Sequence, residues 1–326
     1  MTTNRRRLFV LLALLLSVAG AALGPPHAQA EQRMTGVLLL AHGSDRSHGA
    51  AHGHHQADEW NGNVEELVRQ LDRRHPTEVA FGMADPFSIQ AAAERLEARG
   101  VTRITAVPLF VSSHSPIIGN FRYVLGLQDS LASTTRIKHL DRIRSRADIA
   151  FVGAMDAHPL VGEILLERAL GVGTDPAGTS VILIAHGPND EGENRLWLRD
   201  MEVHAATLRE RGGFRRVGVL THRNDAPPEV KAEARATFRE QVERASEVGV
   251  ALVIPLLLSS GGIERQVEAD LAGLPYVFTC PLMPHPNIEL WVEAMVEASE
   301  GEPRVLFGCR PERPEPHEHG AGRRAC

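Results

Sequence analysis

TGVLLLAHGS, residues 35–44, and SVILIAHGPND, residues 180–190, are one phrase written twice, and their repetition decides the fold. Each opens with a short aliphatic run, of the length and β-branched character of a strand buried on both faces. Each then breaks into Ala-His-Gly. Working outward, NGNVEELVRQLDRRH (61–75) carries apolar residues at helical spacing, and EVAFGMADP (78–86) reads as a second strand. FSIQAAAERLEARG (87–100) is a helix with Gly100 at its C-cap, and TRITAVPLFVSS (102–113) a third strand. ADIAFVGAMDAHP (147–159) supplies a fourth strand and LVGEILLERAL (160–170) the helix after it.

After the small, polar segment GVGTDPAGTS (171–180) the order restarts. FRRVGVLTHRNDAP (214–227) is a second strand, EVKAEARATFREQVERA (229–245) a helix, and VALVIPLLLSSGG (250–262) echoes the third strand. VFTCPLMPHPNIELWVEAM (277–295) echoes the fourth strand and its helix. Strands alternating with helices of this length imply right-handed crossovers and parallel sheets covered on both faces. The expected class is therefore α/β: an internal duplication into two tandem domains, 35–172 and 180–303, each a four-stranded parallel sheet flanked by helices.

The ends differ from this body. MTTNRRR is basic, LFVLLALLLSVAGAAL is apolar but shorter than a membrane span, and Ala28-Gln29-Ala30 has the form of a cleavage signal. Residues 1–30 thus read as a signal peptide cut after Ala30, and the protein as exported and periplasmic. Loss of three arginines with the leader moves the net charge from −6 to −9. That excludes nucleic acid and anionic lipid as general partners, and no later segment is apolar enough to span a membrane. The Pro- and charge-rich tail 310–326 reads as disordered. Cys280, Cys309 and Cys326 lack the spacing of a structural zinc site, and their redox state is open.

Open parallel sheets bind ligands at the carboxyl ends of their strands, where the strand order reverses. With a 2-1-3-4 order that point lies between the first and third strands, whose ends carry His42 and His114, 72 residues apart. Neighbouring strands are ~4.8 Å apart, so two imidazoles there are placed to grip one ion at ~2.1 Å each. The second repeat keeps His186 in place of His42 but has Gly261 in place of His114. One competent site, in the first repeat, is the reading, with the second repeat as its partner wall.

These pieces resemble the class II chelatases of the CbiX/SirB type, in their two-repeat form. The residues that carry the resemblance are the strand with AHGS at 37–44, DPFSIQAAAERLEARGVTRITAVPLF at 85–110, and His114 just beyond. The resemblance implies insertion of Co²⁺, Ni²⁺ or Fe²⁺ into a sirohydrochlorin-type tetrapyrrole, with His42 and His114 binding the metal and handling protons. The metal is then a substrate, no organic cofactor is needed, and dimerisation is left open. Members of the family carry an acidic residue on the second strand; Asp85 is the nearest carboxylate here and stands as a third candidate ligand. Carboxylates of the macrocycle need local cations, for which Arg46 and Arg122 are candidates, with Ser44 beside them.

VLLLAHGSDRSHGAAHGHH (37–55) packs five of the sixteen histidines into fourteen positions. His48, His52, His54 and His55 lie among glycines and alanines that fix no geometry, so a solvated loop, a metal-gathering arm and direct catalysis all stay open. The arm would add His52, His54 and His55 as ligands. His158 and His285, each before a proline in both repeats, read as structural. There is no G-x-G-x-x-G, Walker lysine or G-x-S-x-G elbow. The competing function is an exported, non-catalytic protein that binds and delivers divalent metal on the same scaffold.

Overall fold

The computed structural model describes residues 34–43 and 54–301. The signal segment 1–30, the tail 310–326, Ser44, Arg46, His48, His52, Cys309 and Cys326 lie outside the described residues. The first repeat runs β1 (Thr35–Ala41), α1 (His54–Leu71), β2 (Thr77–Phe81), α2 (Pro86–Ala98), β3 (Arg103–Leu109), α3 (Pro116–Val124), β4 (Asp148–Phe151) and α4 (Pro159–Gly171). The second runs β5 (Thr179–Ala185), α5 (Glu191–Gly212), β6 (Arg216–Thr221), α6 (Pro228–Val248), β7 (Val250–Leu256), α7 (Gly262–Asp270), β8 (Val277–Phe278) and α8 (Pro286–Gly301). The sheets are ordered β2-β1-β3-β4 and β6-β5-β7-β8, all parallel. This is the expected α/β architecture, with the reversal of order between β1 and β3 and between β5 and β7.

Alternation along β1 shows why both faces are apolar. Val37, Leu39 and Ala41 enter a core shared with Val181, Leu183 and Ala185 of β5, whereas Leu38 and Leu40 face α2 and α3. Each fully buried aliphatic side chain contributes ~1.5–3 kcal/mol relative to exposure. The shared core is filled by α1, α4, α5 and α8, with Trp291 fully buried in it. The repeats are therefore fused through one hydrophobic interior. Among the described residues no helix is long and apolar enough to cross a membrane.

Three helices go beyond the sequence reading: α3, α5 and α7 occupy segments for which no element was expected. Another correction concerns His54 and His55, read as loop residues. They open α1, whose apolar stripe extends N-terminally through Trp60, while their side chains lie outside the described residues. His158 and His285 have the structural role expected. Their Nδ1 atoms accept the N–H of Leu160 and Asn287 at 3.3 and 3.1 Å, capping α4 and α8.

Candidate metal centre

Both Ala-His-Gly turns leave the carboxyl end of the strand nearest the switch point. Their glycines are required. Gly43 and Gly187 have φ of 146° and 73°, and a Cβ at Gly187 would sit 2.5 Å from Thr221 Cβ. Trp60 Nε1 on α1 donates to the backbone carbonyl of His42, which fixes where that imidazole departs. His42 keeps an exposed surface but is recessed among protein atoms. Desolvation first, and the His186 imidazole second, push its pKa below the ordinary histidine value. His42 is thus a neutral imidazole at neutral pH, within electrostatic reach of its counterpart from the other repeat.

His114 lies past β3, immediately before α3. Its N–H donates to Ser112 Oγ at 3.1 Å, and its carbonyl accepts Trp197 Nε1 at 2.6 Å. Its Nε2 is 3.1 Å from Asp200 Oδ2. Trp197 and Asp200 both come from α5, which belongs to the second repeat. One turn further, His204 Nε2 meets the carbonyl of Asp156 at 2.8 Å. A stripe at positions 197, 200 and 204, one face of a helix, therefore clamps two loops of the other repeat.

Asp156 follows β4 with φ of 42°, a left-handed conformation that Asp tolerates better than most residues. Its carboxylate accepts Ser113 N–H at 2.6 Å and Ser113 Oγ at 2.7 Å, which ties it to the residue before His114. Ligand atoms of His114, Asp156 and Asp200 all lie within 4.8 Å of one another. Asp200 is 13% exposed, and its Oδ2 is buried with no hydrogen bond of proper geometry. A buried carboxylate oxygen left unsatisfied is costly; a cation between the three groups removes that cost and neutralises two negative charges. Imidazole plus two carboxylates suits a first-row divalent ion better than the thiolate-selective ions.

Beside this cluster lies a cavity of about 490 Å³ lined by Ser113, His114, Arg122, Ser130, Thr134 and Glu193 among others. Arg122 is exposed there, its guanidinium 5.1 Å over the Phe151 ring.

The structure thus arranges the expected site residues in two groups. His114 joins Asp156 and Asp200, while His42 is within electrostatic reach of His186 and outside that three-residue set. Asp85 is a correction: it is the N-cap of α2, its two oxygens accepting Phe87 N–H and Ser88 N–H at 3.2 Å each, so a local capping duty occupies the carboxylate. Asp156 and Asp200 were not anticipated. Asp200 and His204, four residues apart on a helical face, are a signal that the sequence does carry.

Comparison with known proteins agrees with the fold. The family model CbiX matches residues 36–171. Over these residues the first repeat is similar to the CbiX family. Among solved structures, SirB from Bacillus subtilis with Fe³⁺ has a TM-score of 0.57 at 15% identity, covering 82% of this chain and 96% of that one. CbiX, the terminal enzyme for biosynthesis of siroheme in denitrifying bacteria, gives 0.51 at 16%, covering 81% and 99%. The multi-domain protein DR2241 of Deinococcus radiodurans, similar in structure to chelatases, gives 0.51 at 22%. This chain covers 54% of DR2241 and is itself covered to 80%. None of the curated proteins compared with the chain matches it.

Proposed function

We propose that this chelatase-like protein inserts a divalent metal, Co²⁺, Ni²⁺ or Fe²⁺, into a sirohydrochlorin-type tetrapyrrole. The observation that carries the reading is the cluster of His114, Asp156 and Asp200 at the carboxyl ends of the first sheet, in a repeat similar to the CbiX family. The metal is substrate, held by one imidazole and two carboxylates. His42, kept neutral by desolvation and by His186, accepts one pyrrole proton and solvent water the other as the ion passes to the macrocycle. Two protons leave the ring as two charges enter, so the macrocycle's charge is unchanged. Arg122 and the hydroxyls of the adjoining cavity suit a peripheral carboxylate of the substrate. With the leader at 1–30, the setting proposed is the periplasm.

A second reading, metal delivery without insertion, is favoured by one observation. Among the described residues no carboxylate from the end of β2 joins the cluster, where the family carries an acidic residue on its second strand; the two carboxylates present come from the loop after β4 and from α5 instead. Such a set can hold an ion without passing it on. Mixing the chain with sirohydrochlorin and each metal, and following the macrocycle's absorbance, separates the two. Accelerated conversion supports insertion; metal bound at the background rate of conversion overturns it and leaves delivery standing.

A further inference from the structure

We infer that the second repeat carries a divalent-metal site of its own, formed by Nδ1 of His186 and Nδ1 of His222. It is independent of whether the first repeat performs insertion.

The sheet puts these residues together. β5 and β6 are paired in parallel with Ala185 opposite Thr221, so His186 and His222 are the next residues out of adjacent strands. Adjacent strands are ~4.8 Å apart. Backbone hydrogen bonds continue past the strand ends: His222 N–H donates to Ala185 O at 2.8 Å, and Arg223 N–H to His186 O at 2.7 Å. The two residues are thus held side by side through their backbones. Arg223 holds φ at 52° and bonds Pro188 O, Asn189 O and Glu191, which locks the two turns to one another.

Each imidazole also has a carboxylate on its far nitrogen. His222 Nε2 lies 2.7 Å from Asp270 Oδ2, and Asp270 Oδ1 in turn lies 2.8 Å from Arg235 Nε. His186 Nε2 lies 3.2 Å from Asp225 Oδ2. A carboxylate on one ring nitrogen sets the tautomer, leaving the lone pair on the other; metal-binding histidines are held in this way. His222 is only 2% exposed, yet its Nδ1 makes no hydrogen bond among the described residues. An unsatisfied buried nitrogen needs a partner. His186, 33% exposed, closes the solvent side and leaves room for water or another small ligand on the ion. Two imidazole nitrogens select borderline ions such as Zn²⁺, Co²⁺, Ni²⁺ or Cu²⁺ over Mg²⁺ and Ca²⁺. The loss of a histidine at Gly261 therefore did not empty this repeat of metal chemistry; it moved the ligands to the β5–β6 edge.

The test uses the full chain, Co²⁺ alone and no tetrapyrrole. In a parent protein, His48, His52, His54 and His55 are changed to Gln to remove the histidine-rich segment, and His114→Ala with Asp200→Asn silences the first-repeat cluster. Calorimetric titration should find one equivalent of Co²⁺ bound, with a visible absorption band of nitrogen coordination. His186→Ala should abolish it, and so should His222→Gln. Because His222 is buried and its variant risks misfolding, the exposed His186 decides. No Co²⁺ bound by the parent, or an equivalent that survives His186→Ala, overturns the site. An equivalent abolished by His42→Ala but not by His186→Ala overturns it as well. The insertion assay with the otherwise unaltered chain is a separate readout, so failure of one proposal is distinguishable from failure of the other.

Discussion

Asp200 Oδ2, on a helix of the second repeat, lies 3.1 Å from His114 Nε2, on a loop of the first. The cluster is thus completed across the duplication, and each repeat alone lacks part of it. This gives the partner wall a chemical task.

Replacing Asp200 by Asn removes one negative ligand and the unsatisfied buried oxygen together. Co²⁺ affinity at this cluster should fall by more than the ~10–100-fold typical of losing even an outer partner. Thermal stability of the metal-free chain should hold or rise, since an unsatisfied buried carboxylate opposes folding. Parallel titration and melting measurements check both; a variant that loses stability without losing affinity contradicts the ligand role.

Trp197→Phe keeps an aromatic six-membered ring in the core but deletes the N–H that His114 O accepts. One net hydrogen bond is worth ~0.5–1.5 kcal/mol, so metal binding should weaken by a few-fold to about tenfold. Trp197 positions His114 without touching the ion, and raising the Co²⁺ concentration should restore occupancy. An unchanged dissociation constant would show that the carbonyl contact does not position the imidazole.

Acidification should destabilise the fold in a defined window. His204, 1% exposed, and His222 have lowered pKa values, in both cases chiefly through burial. The opposing pulls of Asp156 and Asp200 on His204, and of Asp270 on His222, do not overcome it. The folded chain then refuses protons that the unfolded chain accepts below pH ~6.5. This stabilisation is full above that pH and is lost as pH falls towards the lowered folded values. His42 and His158 act in the same direction. Glu97 and Asp72, whose pKa values are lowered, add their losses only below pH ~4.5. Urea midpoints should therefore drop between pH 6.5 and 5; a flat profile there would falsify the assignment of these histidines as neutral.

Gly187 and Gly213 both have left-handed φ, 73° and 69°, but only Gly187 has a neighbour in the way of a Cβ. Gly213→Ala should cost ~1 kcal/mol for the backbone alone. Gly187→Ala should cost roughly twice that or more, because Thr221 must move as well. Denaturant titration distinguishes them, and equal costs would contradict the packing.

Much of the fold was legible because buried parallel strands need unbroken aliphatic runs, and TGVLLLA, RITAVPL and their echoes are such runs. The strand order expected is the common 2-1-3-4 arrangement, and the sheets have it. α5 went unread, though Asn194, Trp197, Met201, Ala205 and Leu208 form an apolar or buried stripe at helical spacing, since its charged face dilutes the pattern. That omission hid Asp200. Asp156 was hidden for another reason: its role depends on His114 and Asp200, which come from a different loop and from the other repeat, and no local pattern reports that. Asp85 misled because a carboxylate before Pro-Phe-Ser is a helix cap first. His114 stands five residues beyond Leu109, far enough for the chain to turn towards α5, so the strand-end argument alone did not find its partners.

The most direct measurement is anomalous scattering at the cobalt edge from crystals grown with Co²⁺. The expected result is a peak at ~2.1 Å from an imidazole nitrogen of His114 and at similar distance from carboxylate oxygens of Asp156 and Asp200. Cobalt bound elsewhere, with those three side chains unliganded and Asp200 Oδ2 still buried against His114, would contradict the account.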